Sequence, residues 1–346
     1  MPFDPETFDP DAAAAADTGI FGLPFSPEES HVVVIPVPFE ATTSYGGGTS
    51  GGPQAVLEAS RQVDLFDRET GEPYRRGIAM LDIPEHVLEW SRNAERLAEP
   101  VIANGGAGGD AALERAVSEV NAIGDEMNAW VEAETLRWLD RGKMPIVLGG
   151  DHSVPFGAMK AYAERFPGLG VLHLDAHADL RDAFEGFTWS HASIFHNVAT
   201  KIPQIGRLVQ VGLRDVGRAE KKMIDDSGGR IVAFYDPDLA SQKEEGRSWA
   251  SIADEIVAAL PETVYLSWDI DGLDPTLCPN TGTPVPGGLS WNEAIGLLRA
   301  LVRAKKRIVG LDLCEVSPGE TEWDANVGAR LLYKMIGFAL LSDTAK

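Results

Sequence analysis

Gly170-Val-Leu-His-Leu-Asp-Ala-His-Ala-Asp179 is the stretch whose reading decides this chain. Its first half, residues 170–174, is apolar and strand-like. Its second half sets Asp175, His177 and Asp179 at every second position. In extended backbone, alternate side chains share a face, so a buried strand would run out into three groups converging on one spot. Carboxylates mixed with imidazoles suit a divalent ion such as Mn, Ni, Zn or Fe better than Ca or Mg. The bland alternative is a solvated acidic turn, and the apolar run ahead of Asp175 argues against it.

Two more stretches repeat the pattern. Val264-Tyr-Leu-Ser-Trp268 runs into Asp269-Ile-Asp271, and Pro145-Ile-Val-Leu148 runs into Gly149-Gly-Asp-His152-Ser. Further strand-like runs begin near Val32, Ile78, Arg207, Arg230 and Arg307. Helical segments are expected at 53–63, 111–140, 153–166, 216–226, 249–260, 291–304 and 323–341, with Thr321 and Asp324 as a capping box for the last. Strands alternating with helices predict an α/β fold: a three-layer α/β/α domain with a mostly parallel eight-stranded sheet. We expect one domain over residues 31–346 and an N-terminal arm over 1–30, whose apolar patch at 20–25 packs on the domain or on a neighbouring subunit. Residues 104–110, polar and Gly-rich, read as a loop rather than a linker. Open parallel sheets bind ligands beyond the carboxyl ends of their strands, where every candidate ligand lies.

The chain has 346 residues and a net charge of −23, from 53 acidic and 30 basic side chains. That balance argues against nucleic acid or an anionic membrane as partner and favours a cationic substrate. It is also compatible with a salt-adapted source. No apolar run approaches a membrane span, the first residues lack the pattern of a signal peptide, and Cys278 and Cys314 stand alone. A cytoplasmic location is expected.

Gly-Gly-Asp-His152-Ser, Asp175-Ala-His-Ala-Asp179, Ser-Trp-Asp269-Ile-Asp271-Gly-Leu-Asp-Pro275 and Cys-Glu315-Val-Ser-Pro318, in this order and spacing, together resemble the ureohydrolase family. This is the arginase and agmatinase group, which hydrolyses guanidino groups to urea, and the resemblance covers roughly residues 31–340. It implies an arginase-like fold and two divalent ions per chain, with Mn2+ as the family default and Ni2+ compatible with the same ligands. Carried over, His152, Asp175, Asp179 and Asp269 would hold one ion. Asp175, His177, Asp269 and Asp271 would hold the other. Glu315 would bind the guanidinium, His191 would contact substrate or relay protons, and Asp179 would also pass a proton to the leaving nitrogen. A homo-oligomer, trimer or hexamer, is the family habit.

The loop between Asp179 and His191 lacks the Asn- and Ser-rich segment that arginases use for an α-amino acid. A small cationic guanidino substrate, agmatine or free guanidine, is therefore expected ahead of L-arginine. Phe184, Phe187 and Trp189 are expected to narrow the entrance, with no basic residue to receive a carboxylate unless Arg181 does so. The alternatives are a guanidinobutyrase or guanidinopropionase type of hydrolase and, in another class, a non-catalytic partner subunit. Such subunits lose ligands, and all six are present here. A metallophosphoesterase would show an Asn-His ligand pair and a deacetylase a His-His pair; neither occurs. Trp268 and His173 read as core residues. His196, His31 and His86 carry no role, and Leu57 stands where the family commonly has Arg, so the loop before it is given none.

Overall fold

Each strand-like run becomes a strand of one sheet in the computed structural model, which describes residues 8–15, 17–43 and 45–344. The strands are β1 (Val32–Val37), β2 (Ile78–Met80), β3 (Met144–Gly149), β4 (Leu169–Leu174), β5 (Ile205–Leu213), β6 (Ile231–Tyr235), β7 (Thr263–Asp269) and β8 (Arg307–Cys314). Every pairing is parallel, in the order β2-β1-β3-β8-β7-β4-β5-β6. The chain reaches β4 by leaving a gap beside β3, which β7 and β8 fill later. The middle four strands, β3-β8-β7-β4, are thereby the four whose ends carry the motifs.

The connecting helices are α1 (Gly52–Ser60), α2 (Glu85–Ala103), α3 (Ala111–Leu139), α4 (Phe156–Arg165), α5 (Ile194–Lys201), α6 (Arg218–Asp226), α7 (Asp236–Glu244), α8 (Trp249–Ala258), α9 (Trp291–Arg303) and α10 (Trp323–Thr344). Strand alternation sorts them onto two faces. In β1, Val32 and Val34 join the core that holds α1, α8, α9 and α10, while Val33, Ile35 and Val37 join the one under α2 and α3. β4 does the same, with Leu172 and Leu174 on the first face and Val171 on the second, beside α4 and α5.

Two expectations need amendment. Helices α2 and α7 were not foreseen, with Pro100 and Pro237 interrupting charged stretches, and α5 was expected only as a helix around His196. Pro100 sits in the last turn of α2, and Pro237 in the first turn of α7, where its missing N–H costs nothing. The capping box at Thr321 does not form. Helix α10 begins at Trp323, and both Asp324 oxygens are taken by the backbone N–H and side-chain amide of Asn280. Within the expected arm, residues 1–7 and 16 lie outside the described residues. Ile20, Phe21 and Leu23 are buried in the same core as α1 and α10, and Phe21 N–H donates to Ser60 Oγ.

Candidate metal centre

Because parallel strands end together, β3, β8, β7 and β4 deliver His152, Glu315, Asp269 and Asp175 to one rim of the sheet. The turn after β3 is locked by Asp151, whose carboxylate accepts from Ala41 N–H and from the Ser153 N–H and hydroxyl. Gly150 sits where any Cβ would stand 2.2 Å from the Phe39 carbonyl oxygen, so only glycine fits. Past β4, Asp179 adopts φ +53°, and past β8, Glu315 adopts φ +63°. Left-handed backbone is strained for such residues and concentrates at functional sites.

Four aspartates meet two histidines here. His152 Nδ1 lies 3.1 Å from Asp175 Oδ2, 3.4 Å from Asp269 Oδ2 and 3.5 Å from Asp179 Oδ2. His177 Nδ1 lies 3.3 Å from Asp175 Oδ1 and 3.1 Å from Asp271 Oδ2. Asp175 alone faces both rings. Asp271 Oδ1 accepts from Ala176 N–H, and Asp269 Oδ1 from Asp271 N–H, so the segments after β4 and β7 brace one another.

Crowded buried carboxylates resist ionisation. Burial and then the charge of Asp175 push Asp179 up to about 8, and burial followed by Asp271 and Asp175 lifts Asp269 well above the carboxylate range. Asp271 is raised by burial and then Asp175. Burial works against His177, yet Asp271 and Asp175 carry it up to about 12. A cluster that forces protons onto its own carboxylates is short of positive charge.

The donor set fits divalent ions. His152 Nε2 is 3.0 Å from Ser267 Oγ, whose hydroxyl hydrogen goes to Asp312 Oδ1 at 2.9 Å. Ser267 must then accept from Nε2–H, which makes Nδ1 the nitrogen that faces the three carboxylates and that would ligate an ion once its proton is displaced. A metal-ligating histidine commonly has its far nitrogen tied in this way. His152, Asp175 and Asp179 form one group able to hold an ion, and Asp175, His177 and Asp271 another.

A cavity of about 160 Å³ opens beside this cluster, lined by His177, Asp179, Arg181, Phe184, His191, Asp215, Glu220 and Thr283. Burial, then the charge on His177, holds His191 down to about 4, so its ring is neutral at pH 7, and its Nδ1 has no partner. Glu315 Oε1 accepts from His152 N–H at 2.8 Å, and the carboxylate is 7% exposed. Burial, then Asp269 and Asp151, raises its pKa well above normal. Its Oε2 faces Gly282, where a Cβ would approach to 3.3 Å.

The entrance differs from expectation. Of the three aromatics only Phe184 lines it. Phe187 is fully buried, and Trp189 packs on Phe156 and fills the space that Gly124 leaves in α3, its indole N–H donating to Asp125. Arg181 does reach the entrance. Its guanidinium lies over the Phe184 ring at 4.9 Å and 3.8 Å from Glu220, whose two oxygens also accept Leu180 and Gly217 N–H. Asp215 was missed. It is exposed at the cavity mouth, and its sequence context, a charged residue after a strand, carried no metal-type spacing to flag it. Ser267 and Asp312 were missed because they sit inside strands rather than beyond them.

A model described as the arginase family matches residues 30–337. The chain is 36% identical over 320 residues to the N(1)-aminopropylagmatine ureohydrolase of Thermus thermophilus, covering 92% of this chain and 94% of the relative. It is 30% identical to the guanidinobutyrase of Pseudomonas aeruginosa, covering 87% and 83%. The crystal structure of the agmatine ureohydrolase of Thermoplasma volcanium superposes with a TM-score of 0.69 at 24% identity, over 97% of this chain and 96% of that one.

Proposed function

The chain belongs to the arginase family, hydrolases of amidino C–N bonds, and on that premise we propose that its substrate is a small cationic guanidino compound. Agmatine or free guanidine is favoured over L-arginine, with urea and an amine or ammonia as products. The observation that carries the choice is the charge at the cavity mouth. Asp215 presents a carboxylate with no hydrogen-bond or ion-pair partner among the described residues, whereas the arginine there, Arg181, is held by Glu220 and Phe184. An ammonium tail finds a free counter-charge, and a carboxylate tail must compete for Arg181. The relatives' names span both kinds of tail.

His152, Asp175, Asp179 and Asp269 would hold one divalent ion, and Asp175, His177, Asp269 and Asp271 the other. When bound, such ions polarise the guanidino carbon and lower the pKa of water. Glu315, fixed through Oε1, offers Oε2 to the guanidinium and orients a resonance-stabilised, poorly electrophilic carbon. Asp179 stands beside the cavity as a proton carrier for the leaving nitrogen. Neutral His191, with a free Nδ1, can accept or donate a proton there. Manganese is the proposed metal, nickel the alternative, and a cytoplasmic homo-oligomer the proposed form. No helix among the described residues is long and apolar enough to cross a membrane.

Urea release over agmatine, guanidine, 4-guanidinobutyrate and L-arginine tests the reading, with wild type and Asp215→Asn compared. For an agmatine enzyme, the variant should raise KM for agmatine by about 2- to 5-fold, the worth of one exposed charge contact of roughly 0.5–1 kcal/mol, and leave guanidine untouched. Highest efficiency on 4-guanidinobutyrate would put Arg181 in charge of the tail. Highest efficiency on L-arginine would overturn the proposal.

A further inference from the structure

One layer below the ligands, a row of polar side chains crosses the middle of an otherwise apolar sheet. Gln210 on β5 is in register with His173 on β4, His173 with Ser267 on β7, and Ser267 with Asp312 on β8. All four are fully buried. Burying such groups costs free energy unless each is matched, and the matching here points upward at the metal cluster. Ser267 and Asp312 serve His152 as described above. Gln210 and His173 serve a different residue.

The direction of each bond in that second pair is fixed by one atom. Gln210 places its Nε2 position 2.7 Å from the Ala178 carbonyl oxygen and 2.9 Å from His173 Nδ1. A carbonyl oxygen only accepts, so the amide atom facing it must be the nitrogen. The reverse orientation would set two oxygens against each other. Gln210 Oε1 correspondingly has no partner. The second amide hydrogen then points at His173 Nδ1, which must be unprotonated. A neutral imidazole therefore carries its hydrogen on Nε2, 2.8 Å from Asp175 Oδ2.

We infer that His173, held in its Nε2–H tautomer by Gln210, is a positioning residue that orients Asp175 toward both ions. The same geometry excludes His173 as a ligand, although it lies within the cluster able to hold an ion. With Nδ1 already accepting, coordination through Nε2 would require an imidazolate. Asp175 Oδ1 is pinned from the other side by His177 N–H at 2.6 Å, so both oxygens have a fixed donor, and each still faces one histidine Nδ1. Gln210 acts twice, because its bond to Ala178 also holds the turn that carries His177 and Asp179. The ring of His173 lies against Phe195, centroids 3.8 Å apart, which limits its rotation.

This inference rests on the two-metal reading, and the experiment separates the two. Metal-free protein is titrated with Mn2+ by calorimetry, for wild type, His173→Phe, His173→Gln and Gln210→Leu. His173→Phe keeps an aromatic ring against Phe195 but has no donor. Loss of such an outer partner lowers metal affinity by about 10–100-fold, and that is the expected change for His173→Phe. His173→Gln, whose amide nitrogen can stand where Nε2 stood, should recover most of it. In parallel, 15N shifts of the histidine rings in wild type should show one metal-independent Nε2–H tautomer, lost in His173→Phe and blurred between tautomers in Gln210→Leu. Wild type that binds no Mn2+ would defeat the metal reading itself. Wild type that binds two ions while a folded His173→Phe binds them equally tightly, or a His173 found as the Nδ1–H tautomer, would overturn this inference alone. Should the phenylalanine variant fail to fold, the wild-type tautomer and Gln210→Leu affinity still decide.

Discussion

Glu315→Gln should weaken the enzyme and strengthen the metal-free fold at once. The glutamate is 7% exposed, accepts one hydrogen bond from His152 N–H, and sits near Asp269 and Asp151 with no ion-pair partner among the described residues. Glutamine keeps the shape and the Oε1 acceptor but removes the charge that would pair with a guanidinium. Truncating one partner of a buried charge pair costs about 2–5 kcal/mol, which at about 1.4 kcal/mol per decade is a fall of at least ~30-fold in kcat/KM. The retained acceptor points to the lower part of that range. Stability moves the other way. Burial, then Asp269 and Asp151, raises the carboxyl above its unfolded pKa, so the folded state binds the extra proton. For such an acid, stability falls as pH rises from the unfolded value through the folded one. The variant lacks that slope. Its metal-free melting temperature should match wild type near pH 4.5 and exceed it at pH 8. Urea release, metal content by mass spectrometry and thermal melts at both pH values test the chain of reasoning. Wild-type kcat/KM with full metal would refute the guanidinium role. A variant less stable than wild type at pH 8 would refute the electrostatic account.

Three further outcomes follow from the same geometry. Asp269→Asn removes a carboxylate proposed to serve both ions, and elemental analysis should find fewer than two tightly held metals per chain, with full retention counting against the ligand map. Gly150→Ala would press a Cβ to 2.2 Å from the Phe39 carbonyl oxygen, an overpacking that costs about 1–3 kcal/mol, read by urea denaturation of the metal-free protein and refuted by an unchanged midpoint. Lys334 on α10 bridges Asp67 and Glu69, and Lys334→Met should cost about 1–2 kcal/mol, partial exposure screening the rest. Both carboxyls are held below their normal values, against the burial that would raise them, by hydrogen bonds that include Lys334. This stabilisation is present above the unfolded carboxylate pKa and lost as pH falls through the folded one, so the gap between variant and wild type should close below about pH 4.

The sequence alone determined the local half of this protein. Eight apolar runs marked eight strands, and the residues at or just past the ends of three of them could be read as the site, but Asp175, His177 and Asp179 lie beyond the end of β4 at Leu174 and meet through a turn with Asp179 at φ +53°, not through strand alternation. Strand alternation did read Trp268 away from the site, and it is buried in the core. Helix α2 escaped because proline near a helix end looks like a breaker in sequence, and the partner that holds the helix, α3, is known only once both are packed.

Tertiary structure decided which strands are neighbours. Nothing near His152 says that β8 and β7 will slot between β3 and β4, yet that order alone brings His152, Glu315, Asp269 and Asp175 to one rim. It also decided the register. His173 is an isolated histidine in an apolar run until Gln210, 37 residues away, and Ser267, 94 away, are set level with it. Likewise Phe187 and Trp189 look like entrance residues by position, and packing against α3 and α4 buries them. Long-range pairing depends on summed burial over whole layers. That sum leaves no mark at the single residue it places, and so the support beneath the site could not be read from the residues that form it.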